Sequence, residues 1–169
     1  MAVGSKAGKE RDMQHIWAPW RMAYIQMKKP EGCILCEKPR EDNDTENYIL
    51  YRGDKNFIIM NSYPYNPGHL LVVPYRHLAS LEELTDDERH EHFDIVSRSI
   101  GVLRQVFNPG GFNLGTNIGK IAGAGIEDHV HTHVVPRWQG DSNCITVISD
   151  VRVVPEALAE TYQKLKGRF

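Results

Sequence analysis

Three histidines alternate with smaller residues in one ten-residue stretch, Asp128-His129-Val130-His131-Thr132-His133-Val134-Val135-Pro136-Arg137. Side chains on a strand alternate between its two faces, so a strand over residues 129–135 would place all three imidazoles on one face. Near neutral pH an imidazole can act as a nucleophile, a general acid or base, or a metal ligand. A solvated or singly hydrogen-bonded histidine accounts for one such residue but not for three in register. The stretch therefore predicts a strand that carries chemistry.

A glycine-rich segment, residues 115–125, lies just before the histidines. Its glycines have no Cβ atoms to keep the backbone away from a ligand. Successive amide N–H groups in such a segment can form a cradle for an anion. A plain flexible turn is the alternative explanation, but the position immediately before the histidines favours phosphate binding.

The sequence on either side predicts further strands and two helices. Thr85 and Glu88 match a capping box, and apolar residues then recur at helical spacing, which predicts a helix over residues 86–106. The apolar residues at this spacing are Phe93, Val96, Ile100, Leu103 and Phe107. The predicted strands are residues 48–51, 57–60, 70–73, 112–116, 129–135 and 144–148, and a C-terminal helix is expected from Pro155 to about Lys166. These elements predict an α+β fold, an antiparallel sheet of about five strands with the long helix on one face.

The composition is that of one globular domain. The chain has 169 residues, of which 41% are hydrophobic and 25% charged, and its formal net charge is −2. Residues 1–12 are predicted to be a flexible leader and residues 13–169 a single domain. The aromatic residues Trp17, Trp20 and Tyr24 suit a short amphipathic helix packed on the domain or on a second subunit. We expect a cytoplasmic protein with no nucleic-acid or membrane partner, because a basic field, a membrane span and a signal peptide are all missing from the sequence.

Three cysteines, Cys33, Cys36 and Cys144, are too few for a disulfide framework. The Cys33-x-x-Cys36 pair indicates metal or redox chemistry in a reducing compartment. Because no thioredoxin-like pattern of strand and helix surrounds the pair, metal binding is favoured over a redox role. A reduced thiol pair without a function is the alternative. Cys144 is expected to be a buried strand residue.

The sequence resembles the histidine triad family of nucleotide hydrolases and transferases, whose signature is His-φ-His-φ-His-φ-φ with φ hydrophobic. Residues 129–135 fit this signature except at Thr132, where we expect the change to alter packing rather than chemistry. Residues 61–74, Asn61-Ser62-Tyr63-Pro64-Tyr65-Asn66-Pro67-Gly68-His69-Leu70-Leu71-Val72-Val73-Pro74, resemble the family's nucleoside-binding strand, turn and strand. The segments Ile16-Trp17-Ala18-Pro19-Trp20-Arg21 and Val135-Pro136-Arg137-Trp138 are similar to the bacterial branch that phosphorolyses diadenosine tetraphosphate. The resemblance covers residues 16–166 and implies a homodimer.

The resemblance implies a two-step reaction. His131 would attack the α-phosphate of a nucleotide, and a second acceptor would take the nucleotide from the resulting nucleotidyl-histidine. The main-chain carbonyl of His129 would hold the His131 ring in its reactive tautomer. His133 would contact the phosphate or the scissile oxygen, and His69 would complete the histidine set.

The resemblance also assigns binding residues. Asn61 would hold the ribose hydroxyls. Asn117 and the amides around Ala124 and Gly125 would face the phosphates and the leaving group.

A structural zinc site is implied as well. In several branches of the family, the positions that match Cys33, Cys36, His77 and His129 bind zinc. Two thiolates and two imidazoles make a tetrahedral structural set.

The leading hypothesis for the function is a phosphorylase that splits diadenosine tetraphosphate with inorganic phosphate into ADP and ATP. A hydrolase of dinucleoside polyphosphates or nucleoside phosphoramidates would pass the same intermediate to water. A nucleotide-binding regulatory module is the hypothesis outside enzymes. The motifs do not separate phosphate from water as the acceptor.

The remaining candidates are given no firm role. His15, His90 and His92 lie in polar stretches that a solvated face explains. Arg137 and Trp138 could stack on a ligand or a partner subunit, or simply pack. Lys120 could help hold a polyphosphate, although a single lysine in a loop is usually exposed.

Overall fold

A computed structural model describes residues 32–141 and 156–169. The strands of the described residues form a five-stranded antiparallel sheet in the order β1-β2-β3-β5-β4. They are β1 (Ile49–Arg52), β2 (Asn56–Met60), β3 (Leu70–Pro74), β4 (Gly111–Thr116) and β5 (Thr132–Arg137). The helices are α1 (Ile34–Glu37), α2 (Asp44–Asn47), α3 (Asp86–Phe107) and α4 (Leu158–Leu165). The predicted α+β fold is confirmed.

The long helix α3 begins at the predicted capping box. The Thr85 hydroxyl accepts from the Glu88 N–H at 3.3 Å, and the Glu88 carboxylate accepts from the Thr85 N–H at 2.7 Å. Its buried line runs through His92, Val96 and Leu103. The apolar residues that predicted the helix do not all lie on its buried side, because Phe93, the first of them, is 53% exposed.

The sheet has a separate core on each face. One core packs the sheet against α3 and α4, and it consists of Ile58, Met60, Leu70, Val72, Ile95, Val96, Val102, Leu103, Val134, Tyr162 and Leu165. The other core covers the opposite face with α1, and it consists of Leu35, Ile49, Phe57, Ile59, Leu71 and Val73. Strands β2 and β3 are buried throughout because both of their faces are covered.

The turn before β3 requires glycine. Gly68 has a φ of +75°, and a Cβ atom there would lie 3.0 Å from Cδ2 of Leu103 on α3. An L side chain would therefore be strained by the positive φ, and the end of the Leu103 side chain would have to shift to make room for it. This close approach seats the start of β3 on α3.

The register of β5 sends its side chains to different faces. Thr132 lies opposite Val72, and His133 lies opposite Leu71. Because Val72 and Leu71 belong to opposite cores, Thr132 faces α3 and His133 faces away from it. The catalytic face predicted from the histidine spacing is thus the face away from the long helix.

The predicted start of the strand over residues 129–135 is wrong by three residues. Strand β5 begins at Thr132 rather than at His129. The preceding segment is held by loop contacts instead, since the Val130 N–H donates to the Leu78 carbonyl at 2.7 Å. His129 and His131 therefore lie on the loop that leads into β5.

The C-terminal helix is confirmed in a shorter form, Leu158–Leu165. Tyr162 of this helix is buried and its hydroxyl donates to the Ile49 carbonyl at 3.3 Å, which ties α4 to β1. The predictions for residues 1–12, for the aromatic segment 16–25, for His15 and for the strand 144–148 with Cys144 lie outside the described residues. No helix within the described ranges is long and apolar enough to cross a membrane.

His92 contradicts its predicted solvated position. The side chain is fully buried between α3 and the sheet. Its Nδ1 lies 2.9 Å from Oδ1 of Asn56, and its Nε2 lies 2.7 Å from the hydroxyl of Thr132. The polar residues around it in sequence gave the wrong indication, because His90 and Asp94 lie on the exposed side of α3 while His92 lies on its buried side. Burial lowers the pKa of His92 to about 4, against a smaller raising effect of the Glu91 charge.

We expect the free energy of unfolding to decrease as the pH falls from about 7 to about 4, in part because of His92. The unfolded chain takes up a proton at this imidazole near the ordinary pKa of 6.5, whereas the folded protein does so only near a pKa of about 4. Between these values protons favour the unfolded state, so the stabilisation present above the unfolded pKa is lost by up to about 3 kcal/mol.

Urea unfolding across this pH range checks the expectation. His92→Leu removes the titrating group and should give a flatter pH profile than the wild type. His90→Leu changes an exposed histidine of the same helix and should leave the profile parallel to the wild type. Parallel profiles for His92→Leu and the wild type would contradict the expectation.

Candidate active site

The His131 ring is held by a main-chain carbonyl. Its Nδ1 lies 2.8 Å from the carbonyl oxygen of His129, and the side chain is buried. A carbonyl can only accept, so Nδ1 carries the hydrogen and Nε2 keeps its lone pair. Burial lowers the pKa of His131, although the bond to the His129 carbonyl opposes this effect. The ring is therefore neutral near pH 7, with a nucleophilic Nε2.

Two linked hydrogen bonds, through His69, set the tautomer of His133. The Tyr65 N–H donates to Nδ1 of His69 at 3.0 Å, so the hydrogen of His69 is on Nε2. That Nε2 lies 2.9 Å from Nδ1 of His133, which must then accept. In the neutral ring the hydrogen of His133 is on Nε2. Burial and the neighbouring His131 lower the pKa of His133 to about 4.

The two neighbouring rings therefore offer opposite chemistry. Their centroids are 5.0 Å apart. His131 presents a lone pair and His133 presents an N–H. This arrangement suits an attack on an electrophilic centre whose oxygens need a hydrogen-bond donor.

The side chain of His129 belongs to a different cluster. Its Nε2 donates to the Pro74 carbonyl at 2.8 Å, which leaves the Nδ1 lone pair free of hydrogen. Nδ1 lies 3.3 Å from Sγ of Cys33 and 3.4 Å from Sγ of Cys36. His77 completes the cluster, with its Nδ1 3.4 Å from Nδ1 of His129.

This cluster could hold a metal ion. All four ligand atoms, from Cys33, Cys36, His77 and His129, lie within 4.8 Å of one another. Cys33 precedes α1 as its N-cap residue and Cys36 lies within α1, and the Cys36 N–H donates to the Cys33 carbonyl at 2.8 Å, so this turn holds the two cysteines together. Burial and the neighbouring Cys33 raise the pKa of the Cys36 thiol to about 11. A bound cation would replace the thiol protons and favour the thiolates, and the lone pair on Nδ1 of His129 is available to it.

An open cleft of about 220 Å³ adjoins His133. It lies between β4, β5 and the turn before β3, and it is lined by Tyr65, Asn66, Asn113, Leu114, Gly115, Asn117, His133, Val135 and Arg137. Asn113 on β4 lies opposite Val135, on the same face as His133. The cleft gives a ligand held at the histidines room to extend along β4.

The four predicted binding residues occupy different environments. Asn61 is half-buried beside His69, with Nδ2 3.4 Å from both ring nitrogens, and its Oδ1 accepts from the Tyr63 N–H. Asn117 lines the cleft. The Ala124 N–H donates to the Gly119 carbonyl at 3.3 Å, so this amide serves the turn of the loop. Gly125 lies exposed on the same loop.

The wall of the cleft contains an ion pair that the sequence analysis missed. Arg137 donates through Nε and Nη2 to both carboxylate oxygens of Asp141, at 2.5 and 2.8 Å. Asn66 donates to the same carboxylate at 2.9 Å and to the Pro136 carbonyl at 2.8 Å. The Arg137 guanidinium holds the pKa of Asp141 well below its usual range. The charge of Arg137 is thus balanced within the wall, and only its spacing of four from Asp141 could have indicated the pair.

Comparison with known proteins assigns the family. A family model of the HIT domain matches residues 42–140. The AP-4-A phosphorylase of Mycobacterium tuberculosis is 39% identical over 94% of this chain and 85% of its own length. The chain belongs to the HIT domain family.

Two solved structures share the fold. A hypothetical histidine triad nucleotide-binding protein from Sulfolobus tokodaii has a TM-score of 0.63 at 29% identity and covers 80% of this chain and 88% of its own. A zinc-bound histidine triad family protein from Mycobacterium smegmatis has a TM-score of 0.64 at 23% identity and covers 81% of this chain and 92% of its own.

Proposed function

We propose that the protein is a dinucleoside polyphosphate phosphorylase that splits diadenosine tetraphosphate with inorganic phosphate into ADP and ATP. The observation that carries the proposal is the pair of opposite tautomers at His131 and His133. The similarity to the AP-4-A phosphorylase over most of the chain supports this substrate class. The reaction proceeds through a nucleotide covalently bound to His131.

In the first step Nε2 of His131 attacks the α-phosphorus of one adenylate. The bond from this phosphorus to the bridging oxygen breaks, and ATP leaves. The His133 N–H donates to the oxygen on which negative charge develops. The His131 ring gains positive charge as its new bond forms, and the His129 carbonyl accepts a stronger hydrogen bond from Nδ1.

In the second step an oxygen of inorganic phosphate attacks the adenylate phosphorus, and the bond to Nε2 of His131 breaks. ADP forms and the imidazole returns to its neutral state. Water in place of phosphate would give AMP. Asn61 holds the ribose hydroxyls beside His69, while Asn117, with the loop around Ala124 and Gly125, faces the phosphates and the leaving group.

Replacing the nucleophile should abolish turnover. We expect His131→Gly to lower kcat by at least about 10³-fold, because the variant lacks the Nε2 lone pair that forms the bond to phosphorus. Adenylate binding, measured by calorimetry, should persist because the ribose and phosphate contacts remain. His90→Gly alters an exposed histidine and should retain turnover. Full activity in His131→Gly would show that the assigned nucleophile is wrong.

The acceptor is identified by product analysis of the wild type with diadenosine tetraphosphate. Ion-exchange separation should show ADP and ATP, and only when inorganic phosphate is present. AMP with ATP in both conditions would establish a hydrolase instead. No turnover in either condition would refute the phosphorylase and favour a phosphoramidate substrate or a regulatory module.

We propose further that Cys33, Cys36, His77 and His129 bind a structural zinc ion. The free lone pair of His129 Nδ1 and the mixed thiol and imidazole set support this choice of metal. When bound, the ion supplies a cross-link between α1, the segment after β3 and the loop that carries His131. It takes no part in the chemical steps.

Metal analysis of protein purified without chelator tests the zinc site. We expect about one zinc per chain, and loss of this zinc with a large fall in Tm in the Cys33→Ser, Cys36→Ser double variant. Cys144→Ser alters the cysteine that the proposed site does not use and should keep the metal. Folded wild-type protein without stoichiometric metal would refute the site.

We infer that the protein is a homodimer joined at the β4 edge. Among the described strands, β4 pairs only with β5, so its other side is an edge. Leu114 on this strand and Ile121 on the loop beyond it are strongly exposed. Edge strands and exposed apolar residues are features that a subunit contact covers.

Sedimentation should give twice the chain mass of 19.3 kDa for the wild type. Leu114→Glu should shift the protein toward the monomer, because it buries a charge in the contact. Phe93→Glu changes an exposed residue that belongs to α3 rather than to β4, and this variant should remain dimeric. A monomeric wild type at micromolar concentration would contradict the inference.

A further inference from the structure

A buried chain of polar side chains runs behind the candidate active site, on the face of the sheet that packs against α3. The Thr116 and Thr132 hydroxyls are 2.8 Å apart. The Thr132 hydroxyl lies 2.7 Å from Nε2 of His92, and Nδ1 of His92 lies 2.9 Å from Oδ1 of Asn56. We call these four residues the clasp. Asn56, His92 and Thr132 are all buried.

The hydrogen-bond partners fix the direction of every bond in the clasp. The amide nitrogen of Asn56 donates to the Glu91 carboxylate at 2.8 Å and to the Glu88 carbonyl at 3.2 Å, so Oδ1 of Asn56 faces His92 as an acceptor. His92 then carries its hydrogen on Nδ1, and its Nε2 accepts from the Thr132 hydroxyl. Thr132 accepts in turn from Thr116. The clasp therefore has one arrangement while His92 is neutral.

The clasp closes the base of the loop that carries the reactive groups. Thr116 is the last residue of β4, Thr132 is the first of β5, and the two lie opposite each other in the sheet. Residues 117–131 run between them, with the glycine-rich segment at one end and His131 at the other. The bond between the two hydroxyls thus joins the points at which the loop leaves and rejoins the sheet.

Packing alone does not require polar residues at this place. The surrounding core is apolar and includes Ile95, Val72 and Val134. Burying an imidazole and a hydroxyl there costs free energy unless both are hydrogen-bonded. Apolar side chains would fill the same space without that cost. Directional hydrogen bonds, unlike apolar contacts, fix the orientation of the start of β5 relative to α3.

Thr132 lies between His131 and His133 in the chain, so its position sets the position of both. A displacement of about 1 Å at a reacting group can cost about a hundredfold in rate. Asn56 is an amide and does not relay a proton from His92 to Glu91. The clasp therefore acts through geometry.

We propose that His92 is a positioning residue for His131 and His133. Through Thr132 it anchors the start of β5 to α3 and fixes the nucleophile against the N–H of His133. This role rests on the proposed nucleotidyl transfer at His131. His92 does not touch the substrate.

The test compares folded variants at a temperature well below their Tm. We expect His92→Leu to lower kcat for diadenosine tetraphosphate about tenfold or more, with KM changed less than about twofold, because binding groups stay in place while the reacting rings shift. His92→Gln can still accept from the Thr132 hydroxyl and should recover part of the loss. His90→Leu, on the exposed side of the same helix, should match the wild type.

A second pair of variants covers the case in which His92→Leu does not fold. Thr132→Val keeps the shape of the side chain and removes the hydroxyl, whereas Thr132→Ser keeps the hydroxyl. Thr132→Val should lower kcat, and Thr132→Ser should keep kcat near the wild-type value. In the His92→Leu, Thr132→Val double variant the two losses in kcat should not add, because the same bond is removed twice.

The ¹⁵N spectrum of the His131 imidazole gives a reading that does not depend on turnover. The wild type should show one tautomer with the hydrogen on Nδ1, and His92→Leu should show a mixture or exchange broadening. Unchanged kcat together with an unchanged His131 spectrum in folded His92→Leu would overturn the positioning role. A wild type without turnover would refute the proposed function, and the spectra would then decide whether the clasp positions His131.

Discussion

The hydrogen bond of 2.8 Å from Nδ1 of His131 to the carbonyl of His129 is the contact on which the site depends. It leaves the reactive lone pair of His131 on Nε2. His129 itself is fixed twice, by its Nε2 bond to the Pro74 carbonyl and by its Nδ1 in the Cys33 and Cys36 cluster. One residue therefore connects β3, the candidate metal site and the nucleophile.

The register of β5 places the candidate catalytic contacts and the buried polar contacts on opposite faces of the sheet. His133 faces the cleft, where the chain of bonds from Tyr65 through His69 makes it a donor. Thr132 faces α3, where His92 holds it. The contacts that give His131 and His133 opposite tautomers thus lie on the cleft side of the sheet. The contacts that we propose to set the positions of these two residues lie on the α3 side. A single slip of register would exchange these faces and destroy both arrangements.

The sequence predicted the features that have a local or periodic signal. The capping box of α3, the strand runs and the alternating histidines are of this kind, and the Cys33 and Cys36 spacing led to a cluster that the fold does assemble. The missed features depend on the phase of a helix or on contacts between distant residues. His92 looked solvated because its neighbours are polar, and Asn66 meets Asp141 across 75 residues. Neither leaves a pattern in the sequence near it.

The proposed reaction requires a nucleotide that is covalently bonded to His131. The most direct test mixes wild-type protein with diadenosine tetraphosphate without phosphate, stops the reaction in alkali, where a phosphorus–imidazole bond survives, and locates the modification by peptide mass spectrometry. We expect one adenylate on the peptide that contains His131, and phosphate added before the quench should convert this adenylate to ADP. Turnover without an adduct, or an adduct on another residue, would contradict it.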